Sequence, residues 1–273
     1  DLRMIVSQNP GLNERVNRCQ FHLVDSGQLE ADSSWHFDNI CSPFSRLYFI
    51  RAGEAFIVDE NGKTRLLPGR IYLIPAGRNS HYCCPVTMQK VYFHFNLFLP
   101  SGFDLFEGLD TCLEIPAEPG EIERVYQLSD GQGLADALAL RQHLDAVLSR
   151  FIAAGQLEER ADGHNSELLQ KLFALVYQKV TARTRVQDLA RQLSVSGSTL
   201  SKSFRQETGR TVSEYLDSLL LRQACRMLLS TNLRIGEIAE KLQFCDPYYF
   251  SRYFKSRQQE TPSHYRRRMS GSV

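Results

Sequence analysis

The chain has 273 residues, which suits about two domains, and at 42% hydrophobic content both halves can bury a core. Seven cysteines, an odd number at irregular spacing with no CxxC, fit a reducing cytosol better than a disulfide framework. The net charge of +1 hides a division: residues 1–164 hold 14 basic and 22 acidic side chains, a net −8, whereas residues 165–273 hold 18 and 9, a net +9. An acidic half and a basic half should bind different partners, and the basic one has the sign needed to displace counterions from phosphate. No apolar run approaches the ~18 residues of a membrane span, and no signal peptide is visible. A cytoplasmic protein with no membrane partner is therefore expected. The chain opens on Asp1 rather than Met, as if a few residues were removed or left unnumbered.

Residues 1–20 carry no pattern. From Phe21 to Ile115, short β-branched or aromatic runs alternate with turn signals: Phe21–Val24, Leu47–Ile50, Ala55–Val58, Arg65–Leu67, Ile71–Ile74 and Val91–Leu97. Glu60-Asn61-Gly62 predicts a type I′ hairpin, and Pro68-Gly69 and Pro75-Ala76-Gly77 mark the next turns. Many short strands with little helix predict a small β-barrel or sandwich, which can hold one small ligand inside. In Val91-Tyr92-Phe93-His94-Phe95-Asn96 the odd positions are apolar and the even ones polar, so one face suits a core and the other water or ligand. Arg46 and Tyr48 share a face in the same way. With Trp35, His81 and Tyr82 these residues make the candidate ligand set: Trp35, Arg46, Tyr48, His81, Tyr82, Tyr92 and His94. Aromatic faces with a few hydrogen-bonding groups suit a sugar or another small polar molecule. Each Tyr or His alone could equally be a half-buried barrel residue satisfied by backbone.

His36, Cys41, His81, Cys83, Cys84 and His94 are soft ligands, but no HxH or His-x₃-His spacing unites two of them, so neither a metal nor another cofactor is expected. Nothing resembles a nucleophile elbow, a P-loop or a GxGxxG fingerprint, so no catalytic residues are assigned. After the turn Asp130–Gly133, an apolar stripe of Leu134, Leu138, Leu144, Val147, Leu148 and Phe151 predicts a helix that packs on the barrel or pairs with its copy in a second chain. The polar stretch from Ala153 to Asn165 then reads as a linker.

The basic half begins with a helix over residues 166–180 and contains the same design twice. Leu200-Ser201-Lys202-Ser203-Phe204-Arg205 matches Phe250-Ser251-Arg252-Tyr253-Phe254-Lys255 at an offset of fifty, as Thr211, Ser213 and Tyr215 match Thr261, Ser263 and Tyr265. Val186, Leu189, Ala190 and Leu193 match Ile235, Ile238, Ala239 and Leu242 at forty-nine, so the second turn has one extra residue. Asp246 stands as an N-cap before Pro247 at the first helical position, and Thr261-Pro262 ends that helix. This is a duplicated helix-turn-helix. Two linked units can read successive major grooves, roughly 34 Å apart, without a dimer. A central helix over 214–230 joins them, and Gln223→Pro, costing about 3 kcal/mol, should abolish DNA binding and spare ligand binding in the barrel.

With these residues in view, the chain resembles the AraC/XylS family of bacterial transcription regulators. Leu219 to Arg266 carries the family's pattern: the LR..A..LL helix, the I..IA helix, the.YF.R.FK recognition helix and the final TP..YR. The segment VQDLARQLSVSGSTLSKSFRQETGRTVSEYL matches the first unit, and RLYFIRAGE, LLPGRIYLIPAG, HYCC and YFHF resemble a cupin-type sensor domain. The family's usual glycines are replaced by Gln243 and Gln259, which predicts slightly altered turns. The resemblance implies an α+β multidomain protein: a cupin-like ligand-sensing β-barrel over 1–130, a dimerisation helix and linker over 131–164, and an all-α DNA-binding domain with two helix-turn-helix units over 165–273. It implies DNA contacts from Ser198, Ser201 and Lys202 in the first unit and from Tyr248, Tyr249, Ser251, Arg252 and Lys255 in the second, with Tyr82, Tyr92 and His94 facing the ligand. The partners so implied are promoter DNA, a small-molecule effector such as a sugar, RNA polymerase and a second copy of the chain, in a non-enzymatic activator. The alternative is a cupin metal-binding or enzymatic barrel with an appended helical domain.

Overall fold

The computed structural model describes residues 17, 19–99, 101, 103–158, 166–176, 180–258 and 260–270. Nine strands come first: β1 (Gln20–Asp32), β2 (His36–Cys41), β3 (Ser45–Gly53), β4 (Ala55–Asp59), β5 (Gly62–Leu66), β6 (Arg70–Ile74), β7 (Asn79–Cys83), β8 (Thr87–Phe98) and β9 (Leu113–Pro116). They form two antiparallel sheets, in the orders β1-β8-β3-β6-β9 and β2-β7-β4-β5. Five of the six expected runs lie wholly in strands, and Arg65–Leu67 runs one residue past the end of β5. The short polar strands β2 and β7, and β9, have no such signal because their side chains alternate too weakly. The β4–β5 hairpin forms where Asn-Gly predicts it, but with a different turn: Asn61 keeps negative φ and only Gly62, at 138°, is positive. Gly62 opens β5 opposite Asp59, so the positive φ belongs to the strand entry and not to the two turn residues. Gly53 ends β3 at φ 75°, where a Cβ would stand 2.0 Å from the Thr87 carbonyl oxygen. Only glycine permits that approach.

Alternation along β3 and β8 creates two cores. Leu47, Phe49, Val91, Phe93 and Phe95 face outward onto helices α1 (Glu121–Ser129) and α2 (Leu134–Ala154), against Val125, Leu144, Val147, Leu148 and Phe151. Tyr48, Ile50 and Tyr92 face inward onto Ala55, Ile57, Leu66 and Tyr82 of the second sheet. The predicted stripe on α2 is therefore only half used. Leu134 and Leu138 are 79% and 62% exposed, because the amino-terminal half of α2 runs past the sheet. The linker from residue 159 to 165 lies outside the described residues.

Among the described residues the further helices are α3 (Glu167–Val176), α4 (Val186–Gln192), α5 (Gly197–Thr208), α6 (Val212–Ser230), α7 (Ile235–Lys241), α8 (Pro247–Gln258) and α9 (Pro262–Ser270). The duplication holds in three dimensions. Leu189 and Ile238, Ala190 and Ala239, Leu200 and Phe250, Phe204 and Phe254, and Tyr215 and Tyr265 are buried in one core. The caps repeat too. Ser196 accepts from the Thr199 N–H and Asp246 from the Tyr249 N–H, while Thr211 and Thr261 accept from Glu214 and His264. Thr261-Pro262 therefore opens α9 as well as ending α8. Pro at a first helical position loses no intrahelical bond. The altered turn expected at Gln243 does not occur. Gln243 takes φ 58°, matching Ser194 at 57° in the first unit, so the left-handed turn is kept without glycine. Gln259 lies outside the described residues.

Candidate effector pocket and nucleic-acid interface

Register builds the interior between the two sheets. Across β3 and β8, Arg46 stands opposite His94, Tyr48 opposite Tyr92, and Ile50 opposite Lys90. All six point between the sheets, and Tyr82 meets them from β7. Trp35, just before β2, packs edge-on against Tyr82 at 5.7 Å. The structure thus brings together Trp35, Arg46, Tyr48, Tyr82, Tyr92 and His94. His81 is not with them: it lies on the other face of β7, exposed, with Nδ1 2.8 Å from Asp38. Strand period excludes adjacent residues from one face, so His81 and Tyr82 cannot both line the interior.

Lys90 is the residue that sequence reasoning missed. It sits two positions before Tyr92 on the same polar face, a signal lost because the apolar run begins at Val91. Its Nζ lies 3.4 Å from the Tyr48 ring centroid and 4.4 Å from that of Trp35. Burial, then the neighbouring Arg46 charge, lowers the Lys90 pKa well below its usual range. Arg46 donates to Ser42 Oγ at 2.6 Å and lies over the Phe44 and Tyr82 rings. Burial lowers the His94 pKa to about 4, although Asp25 stands 3.5 Å from Nδ1 and opposes the shift. Burial raises the Tyr82 hydroxyl pKa, and pushes that of Tyr92 to about 12. Neither hydroxyl makes a hydrogen bond of good geometry.

Phe44 links this pocket to the helical domain. Its ring stacks on His94 at 5.0 Å, yet it is buried in the core of the helices. Around it, Tyr215 donates to the Ser101 carbonyl at 2.6 Å, and Arg210 and Arg222 reach Glu107 at 3.2 and 3.0 Å. A cavity of about 400 Å³ lies between the domains, lined by His22, Phe44 and Asn96 on one side and Arg222, Gln223 and Arg226 on the other. Among the described residues no group of three His, Cys, Asp or Glu side chains is placed to hold a metal ion.

On the helical domain, α5 and α8 are the second helices of the two units. Ser198, Ser201 and Lys202 are exposed on α5, although Ser198 Oγ shares a hydrogen bond with the Ser196 cap at 2.8 Å. On α8, Tyr248 is 82% exposed, and Tyr249, Arg252 and Lys255 are also exposed, with Arg252 over the Tyr249 ring at 5.9 Å. Ser251 differs: it is half-buried and donates to the Pro247 carbonyl, so its hydroxyl is engaged by its own helix. Arg257 pairs with Asp217 and ties α8 to α6. The exposed faces carry cations and aromatic rings, the chemistry of phosphate and groove contact.

The family described as helix-turn-helix domain matches residues 189–268. The Msm operon regulatory protein of Streptococcus mutans is 20% identical over 94% of this chain and 96% of its own length. The HTH-type transcriptional activator RhaR of Mannheimia succiniciproducens is 28% identical over 54% of this chain and 51% of its own. Among solved structures, ToxT from Vibrio cholerae with an unsaturated fatty acid bound is similar in fold, with a TM-score of 0.57 at 16% identity, covering 92% of this chain and 95% of that one. No described helix is long and apolar enough to cross a membrane. Two helix-turn-helix units on one basic domain, behind a two-sheet β domain and with relatives that are transcription regulators, make this chain similar to transcription regulators of the AraC/XylS type.

Proposed function

We propose that residues 1–130 sense a small polar molecule such as a sugar, residues 131–164 provide a dimerisation helix and linker, and residues 165–273 bind promoter DNA in response. One observation carries this reading. Polar side chains converge in a buried interior with hydrogen-bonding capacity left over, and Phe44 at the edge of that interior packs in the core of the DNA-binding helices. A buried hydroxyl without a partner costs about 1–3 kcal/mol, so a ligand that supplies the partner is favoured. Ligand in the pocket then shifts Phe44 and His94, and the equilibrium between placements of the two domains shifts with them. Activation by a homodimer that contacts RNA polymerase is the regulatory mode of this reading.

A thermal-shift panel on the full chain with sugars and sugar derivatives tests it. At 100 times its Kd a ligand stabilises by about 2.7 kcal/mol, a clear melting shift. The expected result is that one compound raises the melt and changes affinity for a promoter fragment by about 5-fold or more. A compound that moves the melt and leaves DNA affinity untouched would refute the coupling.

A further inference from the structure

The interior between the sheets encloses two basic side chains, Arg46 and Lys90, and the nearest carboxylate, Asp25, stands at its edge. Arg46 and Lys90 are 4% and 2% exposed; on adjacent strands they lie four register positions apart, Arg46 opposite His94 and Lys90 opposite Ile50, and the Arg46 charge is felt at Lys90. Among the described residues neither has a carboxylate within ion-pair distance. The carboxylate at the edge, Asp25, stands by His94 instead. This contrasts with the rest of the domain, where acidic residues outnumber basic ones by eight over residues 1–164. A surplus of acid outside and two buried basic side chains without a carboxylate within is not what folding alone selects, because the charged form of each is costly to bury unless an anion pairs with it. The aromatic faces of Tyr48, Trp35 and Tyr92 soften that cost for Lys90 but supply no counter-charge. Of the five Arg46 donors, Ser42 takes one. The hydroxyls of Tyr82 and Tyr92, both buried on the same interior, add donors whose nearest partners, Ser80 and Asp25, are poorly aligned.

Resting on the sensor reading above, we propose that the effector is a small polyhydroxylated anion, its carboxylate or phosphate oxygens held between Arg46 and Lys90 and its hydroxyls by Tyr82, Tyr92 and His94. Arg46 presents a planar fork that suits two anionic oxygens at once, and Lys90 adds a point charge. The aromatic rings of Trp35 and Tyr48 close the apolar side of the site. A neutral sugar would give neither basic side chain a counter-charge.

The test is a set of melting curves on the full chain at constant ionic strength in chloride, with D-galactose, D-galacturonate, D-gluconate and galactose 1-phosphate as probes. Wild type is compared with Lys90→Met, which keeps the side-chain length and removes the charge, and with Arg46→Leu. Expected is a saturable upward shift with an acid probe, an apparent affinity about tenfold or more above that of galactose, and loss of that preference in Lys90→Met. Galacturonate and gluconate against the sugar phosphate decide which anionic group is bound. The basic DNA-binding face also attracts anions, and the Lys90→Met protein separates the two, since its DNA face is unchanged. If Arg46→Leu does not fold, Lys90→Met alone decides. A shift with galactose equal to or larger than that with the acids overturns the anionic site and leaves the sugar-sensing reading standing. An acid shift retained in Lys90→Met, or no shift in any arm, overturns the anionic site outright.

Discussion

Arg252 and Lys255 lie one turn apart on α8 and are both exposed, but their chemistry differs. A guanidinium can make two bonds to one guanine edge, worth about 1–3 kcal/mol of discrimination, whereas an ammonium serves phosphate as a point charge. Arg252→Ala should relax preference at one base pair. Lys255→Ala should weaken binding evenly across sequences and reduce the salt slope by about 0.9. Binding to a set of single-base operator variants at several salt concentrations separates them, and identical behaviour would refute the assignment. His94 has a different signature. Its folded pKa is depressed to about 4 by burial, so the unfolded chain binds the proton first as pH falls. Its contribution is present in full above the unfolded value near 6.5 and is lost as pH falls through about 4, amounting to roughly 3 kcal/mol. In His94→Asn, the difference in unfolding stability from wild type should therefore narrow as pH drops from 7 to 4. A constant difference would show that burial does not control this histidine.

At the scale of elements, α2 has two roles along one stripe. Its carboxy-terminal half supplies Leu144, Val147, Leu148 and Phe151 to the core, and its amino-terminal half leaves Leu134 and Leu138 in water. If that end pairs with a second copy, Leu138→Asp should shift the protein to monomer in sedimentation without lowering its melting temperature. A fall in melting temperature with no change of mass would mean that the stripe serves only the fold. The central helix α6 joins the two units and also packs against β1, with Gln223 lining the cavity between the domains. Gln223→Pro should still abolish DNA binding and leave the ligand-induced melting shift of the β domain, because the barrel residues that would hold the ligand lie on β3, β7 and β8 and not on α6.

For the molecule as a whole, the decisive contact is the one between acidic and basic halves. Glu107 receives both Arg210 and Arg222, so one carboxylate holds two cations of the DNA-binding domain against the β domain. Glu107→Gln removes the charge from both pairs and should weaken the interface by about 2 kcal/mol, discounted because Glu107 and Arg210 are partly exposed. The expected outcome is a smaller effect of ligand on DNA affinity, with each domain keeping its own activity. DNA titrations with and without ligand measure this, and an unchanged ratio would place the coupling elsewhere.

The helical half was legible almost entirely in the sequence. Its helices, caps and duplicated core follow from local periodicity, and its two copies check each other residue by residue. The strands were legible as runs, and their alternation assigned Arg46, Tyr48, Tyr92 and His94 to one face. Which side chains meet across strands was decided only by tertiary structure. Register set Lys90 beside Tyr48 and turned His81 outward, and no local pattern encodes pairing between residues forty positions apart. The same holds for Phe44 and Glu107. Their contacts with the helices span more than a hundred residues, so their roles come from how the two domains pack and not from any sequence neighbour.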